Sequence, residues 1–306
     1  MAYFLAVDAG GSKTEFLLSE DDRELGRART GTIKRSNADE SVAEKNLEEA
    51  LAELARLTGV GMLQVARTCI GTSGNTVPLV TDWLQRAFQK RVAGPILIVG
   101  DVEIALDAAF AGGRGVLVLA GTGSNVAIRD GRGKIITAGG WGPMLADQGA
   151  GHWIGMEALR RGFLARDEQR ETGLLEAARN LWNLPTIDAL IEFANVQPAV
   201  RYASQLAPAV VACAARGDVV AIEILEKGGA DLAYLASLLI ERIREVEGDG
   251  FEMPTVAFAG SIMANVDGIR NSLKRSLRER YAEICFIEKA VDPVRGALWR
   301  VLQGEY

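Results

Sequence analysis

Val7-Asp8-Ala9-Gly10-Gly11-Ser12-Lys13-Thr14 closes one apolar run, residues 3–7, and leads into another, residues 16–18. The pattern reads as strand, tight turn, strand. Gly10 and Gly11 remove two side chains where the backbone reverses, and glycine tolerates the positive φ that such a reversal uses. A bare backbone also lets an incoming group approach the amides closely. Asp8 before the turn and Ser12, Lys13 and Thr14 after it would set a metal-directed acid beside a nest of N–H donors, which suits a nucleotide phosphate with its Mg²⁺. A plain hairpin turn with a solvated Asp fits the same eight residues.

The pattern returns later in the chain. Residues 116–120 are apolar, Gly121-Thr122-Gly123-Ser124-Asn125 is a glycine turn, and residues 126–129 are apolar again. Gly131-Arg132-Gly133 then turns into a third strand, 134–138. This is an internal repeat by pattern more than by identity. Other phosphate-binding motifs fail. Lys13 follows Ser12, so the Gly-Lys-Ser/Thr of a P-loop is missing. Gly121-Thr122-Gly123 lacks the third glycine of a dinucleotide fingerprint and leads into a strand, not a helix. What survives is a pair of hairpin phosphate turns, 8–14 and 121–125.

The remaining elements fall around these turns. Residues 3–10, 13–20 and 25–31 read as strands, and a polar loop, 32–37, follows. An amphipathic helix spans 39–57, with Val42, Leu47, Leu51 and Leu54 near one face. Residues 64–71 form a buried strand, 78–90 a helix, 95–99 a strand ending in Gly100-Asp101, and 102–111 a helix. In the second half, Gly139-Gly140-Trp141-Gly142-Pro143 leads into an acidic turn at Asp147-Gln148-Gly149. Helices are expected at 152–165, 168–182, 186–195, 199–216 and 218–246. A strand, 255–259, runs into Gly260-Ser261. A helix to about 281, a strand at 283–287 and a helix at 293–302 complete the chain. The fold class is α/β: two βββαβαβα-like halves, the second enlarged by helical insertions. Gly112-Gly113-Arg114-Gly115 is the expected joint, giving domains 1–112 and 113–306. Ligands of α/β sheets collect at strand ends and domain interfaces, so a cleft faced by both glycine turns is expected.

Composition narrows the partners. A chain of 306 residues is comfortable as two domains. A net charge of −6 gives no basic footprint for nucleic acid. No apolar run approaches the roughly 18 residues of a membrane span. Cys69, Cys213 and Cys285 are far apart and lie in apolar runs; they read as buried free thiols of a reducing, cytoplasmic compartment. The start of the chain has no signal-peptide pattern. With His152 as the single histidine, a His-rich metal site is excluded, and a Ser-His-Asp hydrolase needs that one residue. His152 reads as a packed side chain beside Trp153.

The paired turns resemble those of the sugar kinase/actin/Hsp70 superfamily, whose fold is a duplicated, ribonuclease H-like α/β unit. Within it the chain resembles the N-acetylglucosamine kinase branch, which groups with the BadF/BadG/BcrA/BcrD ATPases. The resemblance covers nearly the whole chain. It rests on residues 8–14, Ala120-Gly121-Thr122-Gly123-Ser124-Asn125, Gly139-Gly140-Trp141-Gly142 running into Ala146-Asp147-Gln148-Gly149, and Ala257-Phe258-Ala259-Gly260-Ser261.

That resemblance implies an ATP-dependent kinase of an amino sugar or hexose, a homodimer, acting at the 6-hydroxyl with ATP and Mg²⁺. Asp101 falls where the family keeps its catalytic base; an N-cap of the following helix is the other reading. Asp8 would act on Mg²⁺ through water. Gly10, Gly11, Ser12, Lys13, Thr14, Gly121, Thr122 and Gly123 would hold the phosphates, and Gly260 and Ser261 the adenosine side. Asn37, Ser73, Asn125, Gly140 and Asp147 fall where relatives bind sugar. Two positions depart from the pattern: Ala9 for Gly, and Gln148 for Glu. The second removes an acid and leaves N-acetylglucosamine, glucosamine and glucose open. The rival reading is a nucleotide-driven dehydratase activator, for which the three cysteines lack close cluster-ligand spacing.

Overall fold

The computed structural model describes residues 1–195 and 202–304. The chain divides into two compact units: residues 1–115, 131–135 and 291–306 form one, and residues 116–130 and 136–290 the other. The first unit thus ends near the expected joint but regains the C-terminal helix, which the division at 112 had left with the second half.

The first unit is built on a five-stranded sheet. Its strands are β1 (Tyr3–Ala9), β2 (Lys13–Glu20), β3 (Arg23–Gly31), β4 (Val65–Thr72) and β5 (Ile96–Val99), in the order β3-β2-β1-β4-β5. β1 pairs antiparallel with β2 and parallel with β4, with Asp8 opposite Glu15 on one side and Gly71 on the other. Period-two alternation sends successive β1 residues to opposite faces. Leu5 and Val7 pack with Phe16, Leu47, Leu54, Leu84 and Phe88, under α1 (Glu40–Thr58) and α2 (Pro78–Gln89). Ala6 packs with Leu17, Ile104, Val294, Ala297 and Val301, under α3 (Asp101–Phe110) and α11 (Pro293–Gln303). Each large side chain so buried contributes about 1.5–3 kcal/mol, enough to fix which face each helix covers. On α1 the buried stripe is Ala43, Leu47, Ala50, Leu51 and Leu54; Val42, expected inside, is half exposed.

The second unit repeats the plan with β6 (Gly115–Ala120), β7 (Ser124–Arg129), β8 (Ile135–Gly139) and β9 (Val256–Ala259), in the order β8-β7-β6-β9. Its helices are α4 (Gly151–Asp167), α5 (Leu174–Leu181), α6 (Ile187–Asn195), α7 (Ala207–Ala215), α8 (Val219–Glu247), α9 (Ser261–Asn265) and α10 (Asp267–Arg280). The strand expected at 283–287 is only a single bridge, Phe286 to Val256, because 281–290 otherwise lacks a regular partner. The helix expected after residue 260 breaks at Val266, whose extended ψ of 87° interrupts the α conformation. The helix expected at 168–182 begins only at Leu174, since Gln169 takes a positive φ. Part of the expected helix 199–216 lies outside the described residues. Cys69 and Cys213 are buried as expected, but Cys285 is exposed beside the lone bridge.

Candidate active site

Asp8 is the penultimate residue of β1, so the strand fixes its carboxylate at the sheet's C-terminal edge. Burial pushes it up to about 7; Asp101, Glu15 and Asp292 push the same way and Lys13 opposes them. The shift shows that Asp101, 93 residues along the chain, lies near enough to Asp8 to repel it electrostatically. Asp101 is the first residue of α3, separated from β5 by Gly100 alone. Its Oδ1 accepts the Val102 backbone N–H at 3.0 Å. Desolvation raises its carboxyl above the usual range, while that N–H and the Lys34 ammonium hold it down. A carboxylate at a helix N-terminus is stabilised by the unpaired N–H groups there. The N-cap of α3 is Gly100 and Asp101 is its first helical residue, so the N-cap reading of Asp101 is not upheld. Glu103 Oε1 accepts the Gly100 N–H at 3.0 Å, so Glu103, not Asp101, supplies the capping contact.

The turn between β1 and β2 is closed by neighbouring hydroxyls. Thr32 Oγ1 donates to the Gly10 carbonyl at 2.8 Å, and Thr72 Oγ1 donates to the Ala9 carbonyl at 3.1 Å. A Cβ on Gly10 would stand 2.9 Å from the Lys13 carbonyl, so the turn needs glycine there. Asn37 faces this turn: its Nδ2 would lie 3.5 Å from a Cβ on Gly11. Lys13 instead reaches along the sheet to Glu15 Oε1 at 2.6 Å. Thr14 does not present its hydroxyl to the turn. It is fully buried, and its Oγ1 accepts the Ile33 N–H at 3.2 Å, tying β2 to the loop after β3. Period-two alternation points Thr14 inward, a signal already present in the sequence.

Ser73 follows β4, and its Oγ accepts a hydrogen bond from Lys34 Nζ at 2.5 Å. Lys34 is a residue that sequence reasoning missed: it stood in what read as a polar loop. Burial holds its ammonium below the ordinary lysine range, and Asp101 pulls the other way. Asp107 is buried and accepts from Arg300 Nε of α11 at 2.6 Å; Arg300 Nη1 also lies 3.2 Å from Glu103 Oε2. These acids bind the C-terminal helix to α3 and leave Asp101 as the free acid of that helix start.

In the second unit the remaining candidates also gather. The Gly121 N–H donates to the Gly123 carbonyl at 2.8 Å, closing the turn between β6 and β7. The first turn of α4 donates back to it: Gly151 N–H to the Gly121 carbonyl at 2.8 Å, and His152 N–H to the Thr122 carbonyl at 3.3 Å. Helix-start amides without an intrahelical partner thus find acceptors. Gly260 has φ of 89° and no room for a side chain, since a Cβ would lie 2.3 Å from the Ala120 carbonyl. That contact seats Ser261, whose Oγ is 3.8 Å from the Cβ position of Gly121. Asn125 packs on Gly140, where a Cβ would stand 2.6 Å from Nδ2. Its Oδ1 is buried without a hydrogen-bond partner, as is Gln148 Oε1. Orphaned acceptors in a loop cluster suit a ligand that brings its own donors.

Asp147 sits below this surface. It is buried, takes a φ of 64°, and accepts the backbone N–H groups of Ser124 and Gly142. Desolvation raises its carboxyl, and those N–H groups and His152 oppose the rise. Its Oδ2 would lie 2.9 Å from a Cβ on Gly123. The carboxylate therefore clamps the glycine turn to the 139–149 loop. Trp141, Met144 and Leu145 of that loop are 74%, 78% and 81% exposed.

For a metal, Asp8 offers the hard oxygen that Mg²⁺ prefers. No cluster of three or more ligating side chains occurs among the described residues. The donor set fits an ion carried on nucleotide phosphates and met by Asp8, not a protein cage. Among the described residues no helix is long and apolar enough to cross a membrane.

The family model of the BadF/BadG/BcrA/BcrD ATPases matches residues 5–299. An N-acetylmuramic acid/N-acetylglucosamine kinase of Clostridium acetobutylicum is 25% identical over 305 residues, covering 97% of each chain. An N-acetyl-D-glucosamine kinase of Dictyostelium discoideum is 24% identical, covering 99% of this chain and 98% of its own. Among solved structures, one from Chromobacterium violaceum, named provisionally an N-acetylglucosamine kinase, superposes with a TM-score of 0.76 at 23% identity, covering 99% of both chains. A glucokinase of the ROK family from Streptomyces griseus, solved with glucose and AMPPNP, superposes with a TM-score of 0.61 at 17% identity, covering 99% of this chain and all of its own. These likenesses bear out the expected two-domain, ribonuclease H-like architecture.

Proposed function

This chain belongs to the BadF/BadG/BcrA/BcrD ATPase family, and from that premise we propose that it is an ATP-dependent sugar kinase whose acceptor is an amino sugar or hexose, taken at the 6-hydroxyl. The names of its relatives, kinases of N-acetylglucosamine and N-acetylmuramic acid, support the substrate class. The observation that carries the reading is the pairing of Asp8 with Asp101. The carboxylate of Asp101, at the start of α3, acts on that of Asp8, at the end of β1 beside the glycine turn, and burial raises both.

A sugar hydroxyl is a poor nucleophile. Asp101 accepts its proton as the oxygen bonds to the γ-phosphorus and the bond from phosphorus to the β,γ-bridging oxygen breaks, releasing ADP. A carboxyl raised by desolvation is a stronger base than an ordinary one, and the Val102 N–H aims it. Each glycine turn would offer the phosphates its own backbone amides, residues 10–12 in the first unit and 122–123 in the second, and Ser261 would serve the adenosine side. Mg²⁺, when bound with ATP and touched through water by Asp8, would neutralise charge on the phosphates. Asn37, Ser73, Asn125 and Gln148 offer neutral donors and acceptors to the sugar's hydroxyls and 2-substituent. Asp147 holds the loop that presents Asn125.

The test is a coupled assay of ADP release with ATP against N-acetylglucosamine, glucosamine, glucose and N-acetylmuramic acid, repeated with a 6-deoxy sugar. Turnover with one of the first set and none with the 6-deoxy analogue is expected. ATP hydrolysis indifferent to every sugar would end the reading.

A further inference from the structure

We propose that Lys34 is a further catalytic residue, its ammonium held by Ser73 to meet the phosphoryl group as it passes to the acceptor at Asp101; this rests on the kinase reading of the site. A transferring phosphoryl group spreads negative charge over its equatorial oxygens, and fixed positive charge aimed there lowers the barrier. Of the cations around the first turn, Lys13 and Arg29 are paired with Glu15 and Arg27 is paired with Asp292. Two lysines stand near it, and they are placed differently. Lys13 is bound to Glu15 and its side chain is 44% exposed. Lys34 is partly buried, and among the described residues its ammonium donates to the neutral Ser73 hydroxyl. An ammonium has three donors, so two are left for a ligand.

A desolvated cation is costly unless something anionic meets it; here the Asp101 carboxylate acts on Lys34, and a phosphoryl group beside that carboxylate would add to it. Both ends of the Lys34–Ser73 link are anchored to the phosphate turn. Lys34 lies two residues after Thr32, whose hydroxyl holds the Gly10 carbonyl, and its own backbone N–H donates to Thr32 Oγ1 at 3.1 Å. Ser73 directly follows Thr72, whose hydroxyl holds the Ala9 carbonyl. The ammonium is therefore fixed beside the turn by two threonine clamps before any ligand arrives. Lys34 also acts electrostatically on Asp101, the proposed base. Charge fixed in advance costs no reorganisation during transfer.

Lys34→Met and Lys34→Gln, assayed with the best sugar and ATP, test this. Loss of one such fixed donor lowers kcat by roughly 100-fold or more, with KM for ATP and for sugar each expected to stay within about threefold. Lys34→Arg keeps the charge and should recover part of kcat. Ser73→Ala removes the hydroxyl that orients the ammonium but keeps the charge, so it should lower kcat less than Lys34→Met. Melting temperatures of all four variants, and ATP affinity by calorimetry, separate catalysis from folding. If Lys34→Met and Lys34→Gln keep kcat while wild type turns over sugar, the proposal falls alone; equal losses in Ser73→Ala and Lys34→Met, or a loss confined to sugar KM, overturn it as well. A wild type that phosphorylates no sugar removes the kinase reading and this proposal with it.

Discussion

The two glycine turns share a strand–turn–strand frame but are built by different means. The first, between β1 and β2, is held by side chains, the hydroxyls of Thr32 and Thr72, and is surrounded by ionisable groups: Asp8, Asp101, Glu15 and Lys34. The second, between β6 and β7, is held by backbone: its own Gly121–Gly123 bond, the α4 amides and the close seat of Gly260 on Ala120. Its one buried acid, Asp147, is spent on structural N–H groups. Duplication of a fold therefore need not duplicate chemistry. Reactive charge gathers at the first turn, and the second is a shaped cradle whose value lies in geometry.

That contrast can be broken at its strongest point by Asp101→Asn. A lost general base costs typically 10²–10⁴-fold, and turnover should fall by about that much while ATP affinity, read by calorimetry, stays close to wild type. Sugar-dependent ADP release surviving in the variant would move the chemistry elsewhere. Because burial raises the Asp101 carboxyl, kcat/KM should fall on acidification at a pH above the ordinary carboxylate range. The base must be ionised to act, so activity is present above its pKa and lost below it. A pH profile flat down to pH 4 would contradict that placement.

Next in size is the anchoring of α11. Arg300→Met removes the Nε donor from the buried Asp107 carboxylate and the guanidinium beside Glu103, and should cost about 1.5–3 kcal/mol, as hydrogen bonds to charged groups do, seen as a lower midpoint in urea. Little change would mean that the Arg300 contacts do not hold α11 to α3.

Gly260→Ala sharpens the claim about the second turn. The added Cβ would press on the Ala120 carbonyl at 2.3 Å and sit at positive φ. A loss above the roughly 1–2 kcal/mol of backbone handedness alone is expected. Gly133→Ala, with φ of 80° and open space around it, supplies that baseline. Equal losses in the two variants would mean that the seat on Ala120 is not tight.

The smallest effect is at Thr14. Thr14→Val leaves the Ile33 N–H without its acceptor, a loss of about 1–3 kcal/mol in stability, while KM for ATP should hold within about twofold. A large rise in KM with unchanged stability would return Thr14 to the phosphates.

Much of the architecture was legible from the chain because it depends on short-range rules. Alternating Leu5, Val7 and Phe16 write β1 and β2, and the glycine turns mark where those strands end. Where the reading went astray, the competing force was tertiary. Residues 283–287 have strand-like composition, yet strand structure needs a partner and they find only one bridge, at Val256. Val42 and Ala43 are neighbours on α1, and packing decided that the smaller one goes inside. Asp101 and Asp147 were both found as acids at loop ends; burial and N–H partners gave them unlike surroundings. Lys34 left no signal at all, since a lysine in a polar loop looks solvated until the fold covers it.

By itself, the sequence determined the strand–turn–strand units, their repetition, and the glycines that no other residue can replace, because backbone conformation and side-chain alternation are local properties. Only the tertiary structure decided that Asp101 acts on Asp8 and that Lys34 is desolvated against Ser73. Charge interactions depend on distance and on the water removed around them, and both are set by residues far apart in the chain.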